Sequence, residues 1–229
     1  EELASLYKGE PQRTKDGTFE ELNNSAKIGT SQGMWLHDFC VAHGAARTLE
    51  VGLAYGFSTL YFIAALARQR EGHHTAVDPY ANRHWRGIGL AKVAPALEKL
   101  GLEPARSFEF IEERSDRAAV DLQRRGCSFD LIFIDGNHKF DDVMVDFYLL
   151  DPLCREGGFI VLDDLWMRSV RSVVSFISSN RADYARVAGA HPNVAAFRKV
   201  GRDRRDFDHF VRFAVAGRSR TEIARDLIS

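Results

Sequence analysis

Short apolar segments alternate along the chain with longer segments of helical pattern, and this alternation limits the possible folds more than any other feature. Two of the apolar segments, LIFI at 131–134 and FIVL at 159–162, are apolar at every position. Strands that are buried on both faces have this pattern, whereas strands with one face in water alternate. The predicted strands are 48–51, 75–78, 108–111, 131–135 and 159–163.

The segments between these strands are long enough to be helices that connect parallel neighbours. They are 58–70, 89–100, 116–125 and 141–151. Alternating strands and helices of this kind predict an α/β fold with a doubly wound, mostly parallel, Rossmann-like sheet.

Two further β-like segments, 184–187 and 194–199, follow a helical stretch at 169–179. The residues between them include AGAHPN, whose Gly, Pro and Asn are typical of a loop. Because this connection is short, we predict an antiparallel hairpin at one edge of the sheet.

Composition excludes several classes of partner. The 31 basic and 32 acidic side chains leave a formal net charge of -1, so no overall field attracts nucleic acid or an anionic membrane. The longest largely apolar stretch, 60–67, is too short to span a bilayer. Cys40, Cys127 and Cys154 are widely spaced and form no disulfide or metal pattern. We therefore expect a cytoplasmic protein with reduced, packed thiols and no nucleic-acid or membrane partner.

A glycine loop, TLEVGLAYGFST at 48–59, follows the first predicted strand and opens a helix that Ser58 or Thr59 is placed to cap. Its spacing is Gly-x-x-x-Gly, and Ala54 stands where the dinucleotide fingerprint has its middle glycine, which argues against NAD or FAD. Any α/β protein needs a turn here, so the loop alone is a weak signal. The next strand, however, ends at Asp78, 22 residues after Gly56, where a carboxylate is placed to accept hydrogen bonds from ribose hydroxyls. Together they predict a nucleoside-bearing ligand.

Four motifs in this order resemble class I S-adenosylmethionine-dependent methyltransferases. They are LEVGLAYGFST, VDPY, FDLIFIDGNH and LCREGGFIVLDDLW, and the upstream KIGTSQGMWL at 27–36 is similar to the catechol and caffeoyl-coenzyme A O-methyltransferase branch. The resemblance covers residues 27–199 and implies a seven-stranded sheet whose last strand is antiparallel, a small-molecule acceptor and a possible homodimer. Residues 1–26 are then a polar, irregular arm or lid, and 200–229 an Arg-rich tail with some helical periodicity.

Carried over by position, the resemblance implies a set of residues that contact S-adenosylmethionine: Glu50, Gly52, Ala54, Gly56, Ser58, Asp78, Ser115 and Asp135. The glycine loop would line the methionine part through its backbone, with Glu50 holding the loop or reaching the amino group through water. Ser58 would meet the carboxylate and Asp78 the ribose. Ser115 would lie near adenine or cap the helix from residue 116. Tyr80 and Trp85 would pack near adenine or substrate, or serve only packing.

Carboxylates follow two neighbouring strands, with Asp135 after the fourth and Asp163 and Asp164 after the fifth. Oxygen ligands of this kind suit Mg²⁺, and the resemblance implies a divalent-cation site formed by these three residues. The alternative is that Asp163 and Asp164 cap the next helix while Asp135 only contacts the cofactor. Trp35 and Trp166 are candidate walls of the acceptor pocket.

His138 lies three positions after Asp135, where the catechol branch has a lysine that removes the substrate proton. An imidazole, with a pKa near ~6.5, is suited to act as a general base near neutral pH. His138 could instead bind the metal or hydrogen-bond the loop, and Lys139 is the second candidate base.

These features favour metal-assisted O-methylation of a small hydroxylated molecule, such as a secondary metabolite, a catechol-like compound or a sugar. Two alternatives stay open. One is a metal-independent N-methyltransferase, and the other is a non-catalytic cofactor-binding or assembly protein with the same fold.

Overall fold

A computed structural model of the protein describes residues 2–23, 26–70 and 72–215. The strands of the main sheet are β3 (Arg47–Val51), β4 (His73–Val77), β5 (Phe108–Ile111), β6 (Phe129–Ile134), β7 (Cys154–Leu162), β8 (Tyr184–Arg186) and β9 (Ala195–Lys199). The helices that flank or connect them are α2 (Thr30–Ala42), α3 (Phe57–Gln69), α4 (Ile88–Lys99), α5 (Pro104–Ser107), α6 (Ser115–Arg124), α7 (Phe140–Leu150) and α8 (Arg168–Asn180). Every predicted strand and helix in this region is confirmed, with ends that differ by a few residues.

Among the described residues the main sheet has seven strands in the order β5-β4-β3-β6-β7-β9-β8. The strands β3 to β7 are parallel, and β9 lies antiparallel to both β7 and β8. The predicted doubly wound sheet with an antiparallel last strand is therefore confirmed, and the predicted hairpin forms its edge.

The continuous apolar run of β6 is explained by its position in the middle of the sheet. Leu131 and Phe133 point into a core formed with α2, α3 and α4, whereas Ile132 and Ile134 point into a second core formed with α6, α7 and α8. Successive strand residues face opposite sides, so a strand covered on both faces needs apolar residues at every position.

Backbone hydrogen bonds continue past the ends of the parallel strands and align the residues that follow them. Gly52 N donates to Val77 O (2.9 Å), Asp135 N to Val51 O (3.0 Å) and Asp163 N to Ile134 O (3.1 Å). The chain leaves β3 toward β4 and leaves the adjacent β6 toward β7, in opposite directions along the sheet, so a crevice forms between the two connections. Ligands of open α/β sheets bind in such a crevice, beyond the carboxyl ends of the strands. This alignment places the predicted site residues around one crevice.

The expectation that the N-terminal arm is irregular is wrong for the residues described. It contains a helix, α1 (Glu2–Lys8), and a small antiparallel pair, β1 (Gln12–Arg13) with β2 (Phe19–Glu20). Leu6 of α1 is 1% exposed and packs in the core formed with α2, α3 and α4, so the arm is held by burial of apolar surface. Leu3 and Tyr7 of the same helix also pack against this core.

The predicted C-terminal tail has no regular element at 201–215, and its remaining part, with much of the expected helical periodicity, lies outside the described residues. Cys40 and Cys154 are buried free thiols and Cys127 is a partly buried one. Among the helices that the structure describes, none has the length and apolar character needed to cross a membrane.

Candidate active site

A cavity of about 960 Å³ opens beyond the carboxyl ends of β3, β4, β6 and β7. Its wall contains most of the residues that the sequence predicts for the site: Gly52, Ala54, Ser58, Asp78, Ser115, Asp135, His138, Asp163 and Asp164. Among the described residues, Glu50, Gly56 and Lys139 do not belong to this wall. The fold thus brings residues from five separate loops to one space.

Gly52 lies where the glycine loop packs against the backbone of Asp135, the predicted metal ligand that follows β6. Its φ of +99° favours glycine, and a Cβ at this position would stand 2.1 Å from the carbonyl oxygen of Asp135. Close backbone approach, rather than space for a ligand alone, is therefore the reason for this glycine. Gly56 is explained similarly, since its Cβ would stand 3.2 Å from Gly89 Cα on the packed helix α4.

The Asp78 carboxylate is fixed by the backbone on both sides. Ala54 N donates to its Oδ2 (2.9 Å) and Tyr80 N to its Oδ1 (2.7 Å). Burial raises the pKa of Asp78, and these backbone N–H groups oppose that rise. A carboxylate has about four acceptor positions. Asp78 therefore keeps acceptor capacity toward the cavity, as a ribose-binding residue requires.

Glu50 holds the start of α3 from below the cavity. It is fully buried and accepts hydrogen bonds from the hydroxyls of Ser58 (2.8 Å) and Thr59, and His74 Nε2 lies 3.2 Å from its Oε1. The expectation that Ser58 or Thr59 caps the helix is wrong, because Gly56 is the N-cap residue and no side chain caps it. Glu50 consequently fits its predicted role of holding the loop.

Three ligand-bearing side chains converge on one side of the cavity. Carboxylate oxygens of Asp135 and Asp164 and a ring nitrogen of His138 all lie within 4.8 Å of one another. His138 Nε2 is 3.1 Å from Asp164 Oδ2, and Trp166 Nε1 donates to Asp164 Oδ1 (2.8 Å). Burial, together with the charges of Asp163 and Asp164, raises the pKa of Asp135 well above its ordinary value. A cation would relieve this repulsion.

The neighbouring Asp163 has a different environment from the other two carboxylates. Gln32 Nε2 donates to its Oδ2 (2.5 Å), while Asp164 N (2.6 Å) and Asn193 Nδ2 (2.9 Å) donate to its Oδ1. Burial, followed by the charge of Asp164, raises the pKa of Asp163 to about 7. Surrounding amides therefore hold Asp163 in place, and Asn193 Nδ2 also donates to Asp164 Oδ1 (3.2 Å). The predicted contact of Asp163 with a metal remains a prediction.

The amide donors Gln32 and Asn193 were not predicted as site residues. Gln32 lies in the segment KIGTSQGMWL, and Asn193 ends the loop AGAHPN between β8 and β9. Only the folded sheet shows that a loop near the end of the chain reaches the carboxylates after β7. In the sequence, the one available signal was the resemblance of 27–36 to a known pre-motif segment.

Several alternatives from the sequence are resolved by the geometry. Asp163 and Asp164 do not cap the following helix, since the N-cap residue of α8 is Met167 and makes no side-chain cap bond. Ser115 is the first residue of α6 rather than its cap, and it lines the cavity. Trp35 is wrong as a pocket wall, because it stacks on Phe39 with ring centroids 4.8 Å apart.

The other three aromatic residues that the sequence indicated, Tyr80, Trp85 and Trp166, do line the cavity, as does Phe57. The charges around them are mainly negative, with six aspartates in the wall. Lys27 and Arg114 are the lysine and arginine among the described lining residues, and Arg114 is paired with Asp116 at 3.1 Å. Carboxylate oxygens that converge in this way form a donor set that fits a divalent cation.

Comparison with known proteins places these features in a family context. Residues 49–165, just over half of the chain, match a family model described as Methyltransferase domain. Caffeoyl-CoA O-methyltransferase 1 from Zea mays is 28% identical over 228 residues, which covers 96% of this chain and 76% of that protein.

Two solved structures share the fold. The O-methyltransferase TomG from Streptomyces achromogenes, in complex with SAM, superposes with a TM-score of 0.61 at 21% identity and covers 77% of this chain and 82% of its own. The Podospora anserina methyltransferase PaMTH1, bound to SAH, gives a TM-score of 0.62 at 16% identity, with 87% and 86% covered.

Proposed function

This chain belongs to the methyltransferase-domain family and is an S-adenosylmethionine-dependent methyltransferase, and we propose that it methylates a hydroxyl oxygen of a small molecule with the help of a divalent cation. The observation that carries this proposal is the convergence of Asp135, His138 and Asp164 beside the glycine loop. A methyl donor held by that loop and an acceptor held at the carboxylates would meet in one cavity.

Each part of the cavity wall has a separate task in this proposal. The loop from Gly52 to Ala54 and the Asp78 carboxylate would bind and orient S-adenosylmethionine, which supplies a methyl group on a positively charged sulfur. Asp135, Asp163 and Asp164 would hold the cation, with Asp163 fixed by Gln32 and Asn193. A divalent cation at this point supplies Lewis acidity, which lowers the pKa of a hydroxyl next to it.

His138 would take the proton from the acceptor hydroxyl. Its imidazole lines the cavity and lies beside Asp164, whereas the other candidate base, Lys139, is an exposed residue before α7 and outside the wall. Nε2 faces the acceptor oxygen of Asp164 and is placed to donate to it, so Nδ1 is the nitrogen that would accept the proton, and the positively charged ring that results is stabilised by the Asp164 carboxylate. The geometry therefore favours His138 over Lys139.

The charge of the wall favours an uncharged acceptor. Six aspartates face Lys27 and an Arg114 that is already paired, so an anionic substrate would meet repulsion without a free cluster of cations. The relatives of this chain include a caffeoyl-CoA O-methyltransferase. A coenzyme A thioester carries several phosphates, so the negative wall would disfavour it as an acceptor here. We propose a neutral hydroxylated compound, such as a polyol, sugar or phenolic secondary metabolite, as the acceptor.

A panel of acceptors with radiolabelled S-adenosylmethionine tests the proposal. Neutral hydroxylated compounds, amines and coenzyme A thioesters are each assayed with Mg²⁺, with EDTA, and with Mg²⁺ restored after EDTA. We expect label only in hydroxylated acceptors, lost in EDTA and recovered with Mg²⁺. Transfer to amines that EDTA leaves unchanged would identify a metal-independent N-methyltransferase, and binding of S-adenosylhomocysteine without any turnover across the panel would favour a non-catalytic protein.

A further inference from the structure

His74 is a fully buried, titratable side chain that the proposed methyl transfer does not use. It lies on β4, and its imidazole stacks on Phe62 with ring centroids 4.9 Å apart. An apolar ring could fill the same space, whereas the two nitrogens of an imidazole are costly to bury unless partners inside the fold replace the water they lose. The partners of His74 therefore indicate what this residue does.

Both polar partners of His74 come from the neighbouring strand β3. Thr48 is opposite His74 in the register of the two strands, and its Oγ1 lies 2.8 Å from Nδ1 of the ring. Glu50, two positions further along β3, points to the same face of the sheet, and its Oε1 lies 3.2 Å from Nε2. When the Thr48 hydroxyl donates to Nδ1, the ring proton is on Nε2, where it faces Glu50.

The buried Nε2 makes no hydrogen bond of standard geometry with the residues that the structure describes. Its close electrostatic contact with the Glu50 carboxylate is therefore what compensates for its burial. The same contact acts on Glu50, whose side chain is also 0% exposed and has no access to water.

Glu50 connects the two ends of the glycine loop. It belongs to β3, which leads into the loop, and it accepts hydrogen bonds from Ser58 (2.8 Å) and Thr59 in the first turn of α3. The two hydroxyls fill two of about four acceptor positions of the carboxylate, and the His74 ring is a third polar neighbour. A buried charge keeps a single arrangement only while such partners compensate it.

We propose that His74 is a positioning residue for cofactor binding: through Glu50 it holds the first turn of α3 and, with it, the glycine loop. The inference rests on the proposed function of the cavity, because the loop is the part that would face S-adenosylmethionine. His74 is not part of the cavity wall, so it acts without touching the ligand. Without Nε2 the Glu50 carboxylate holds the turn less firmly, and the ligand must order the loop when it binds, which lowers affinity.

Two substitutions of His74 separate this role from packing. His74→Phe keeps a stacked ring but removes both nitrogens, whereas His74→Gln loses the ring but places an amide N–H near the position of Nε2. Calorimetry with S-adenosylhomocysteine and the melting temperature are measured on the full chain. We expect His74→Phe to bind roughly 10-fold more weakly, the scale of effect when a buried charged group loses a polar partner. His74→Gln should bind close to wild type, although the loss of the stacked ring lowers its melting temperature further.

His73→Phe is the matched control, since it makes the same substitution one position earlier on β4. The His73 side chain points to the opposite face of the sheet, where its Nδ1 bonds to Arg106 O at 2.9 Å, and its substitution should leave affinity unchanged. A His74→Phe protein that binds as wild type does would overturn the proposal. So would a His74→Gln protein that binds no better than His74→Phe, which is the result of a packing role.

Thr48→Val keeps the proposal testable where His74→Phe does not fold. It removes the partner of Nδ1 and leaves the ring in place, so affinity for S-adenosylhomocysteine should fall in the same direction by about 3-fold, the scale of a neutral hydrogen bond. Unchanged affinity in Thr48→Val would then overturn the proposal. Failure of S-adenosylhomocysteine to bind wild type would instead overturn the proposed function itself.

Discussion

His138 Nε2, in the loop that follows β6, lies 3.1 Å from Asp164 Oδ2, in the loop that follows β7. The two residues come from different crossovers, and a hydrogen bond from Trp166 to the other oxygen of Asp164 fixes the carboxylate that His138 meets. An imidazole held beside an oriented carboxylate has the arrangement of a general base and the group that positions it.

His138→Gln removes the proton acceptor but keeps a side chain of similar length. We expect kcat to fall on the order of 10²- to 10⁴-fold, the usual contribution of general base catalysis, with little change in affinity for S-adenosylhomocysteine. His138→Lys should keep more activity than His138→Gln and shift the pH–rate profile upward, since lysine has the higher pKa. Lys139→Gln is the control. Full activity in His138→Gln would exclude this residue as the base.

Asn193→Ala removes one of the donors that hold Asp163. Residues that orient metal ligands typically contribute about 10- to 100-fold in metal affinity, and we expect a loss in that range, measured as Mn²⁺ binding by electron paramagnetic resonance. Asn82, which is not part of the cavity wall and bonds to Glu112 at 2.8 Å, provides the control substitution. Unchanged Mn²⁺ affinity in Asn193→Ala would show that Asp163 is not positioned by this amide for the ion.

Gly52→Ala introduces a Cβ that collides with the Asp135 carbonyl oxygen at 2.1 Å and forces a left-handed φ on alanine. We expect a loss of unfolding free energy on the order of 2 to 3 kcal/mol, seen as a lower melting temperature. Gly44 also has a positive φ but nothing within 4 Å of its Cβ position, so Gly44→Ala isolates the backbone cost. Equal losses in the two variants would mean that the contact with Asp135 has no energetic importance.

Asp146 should make the folded protein less stable as pH rises. Its pKa is raised in the fold from an ordinary value of 3.8 to about 6, so between these values the folded chain binds a proton that the unfolded chain has released. Stability from this group is complete below pH 4 and is lost as pH passes through 6. A shift of this size corresponds to roughly 2 to 3 kcal/mol.

Urea denaturation of wild type and Asp146→Asn at pH 4.5 and pH 7.5 measures this effect. The amide does not titrate, so the variant should gain stability relative to wild type as pH rises, by an amount approaching that range. A difference between the two proteins that does not change with pH would contradict the raised pKa of Asp146.

Much of this fold could be predicted because it depends on patterns within short segments. LIFI and FIVL are buried on both faces of the sheet, and Asp78, Asp135 and Asp163 directly follow strands whose ends the apolar runs define. Local pattern therefore located the carboxylates at one edge of the sheet.

The contacts between distant segments could not be read in this way. Asn193 reaches Asp163 from a loop 30 positions away, and the Ser58 hydroxyl donates a hydrogen bond to Glu50 instead of capping α3. Asp146 resembles any charged residue on a helix until the packing of α7 buries it. Each depends on tertiary geometry that outweighs a local preference.

One cavity is proposed to hold the methyl donor on Asp78 and a divalent cation at the carboxylates after β6 and β7. A crystal structure with S-adenosylhomocysteine and Mn²⁺, with anomalous scattering to locate the ion, would show both ligands together. We expect the ribose hydroxyls on Asp78 and the manganese peak between Asp135 and Asp164. A cavity without S-adenosylhomocysteine, or a manganese peak away from these carboxylates, would contradict it.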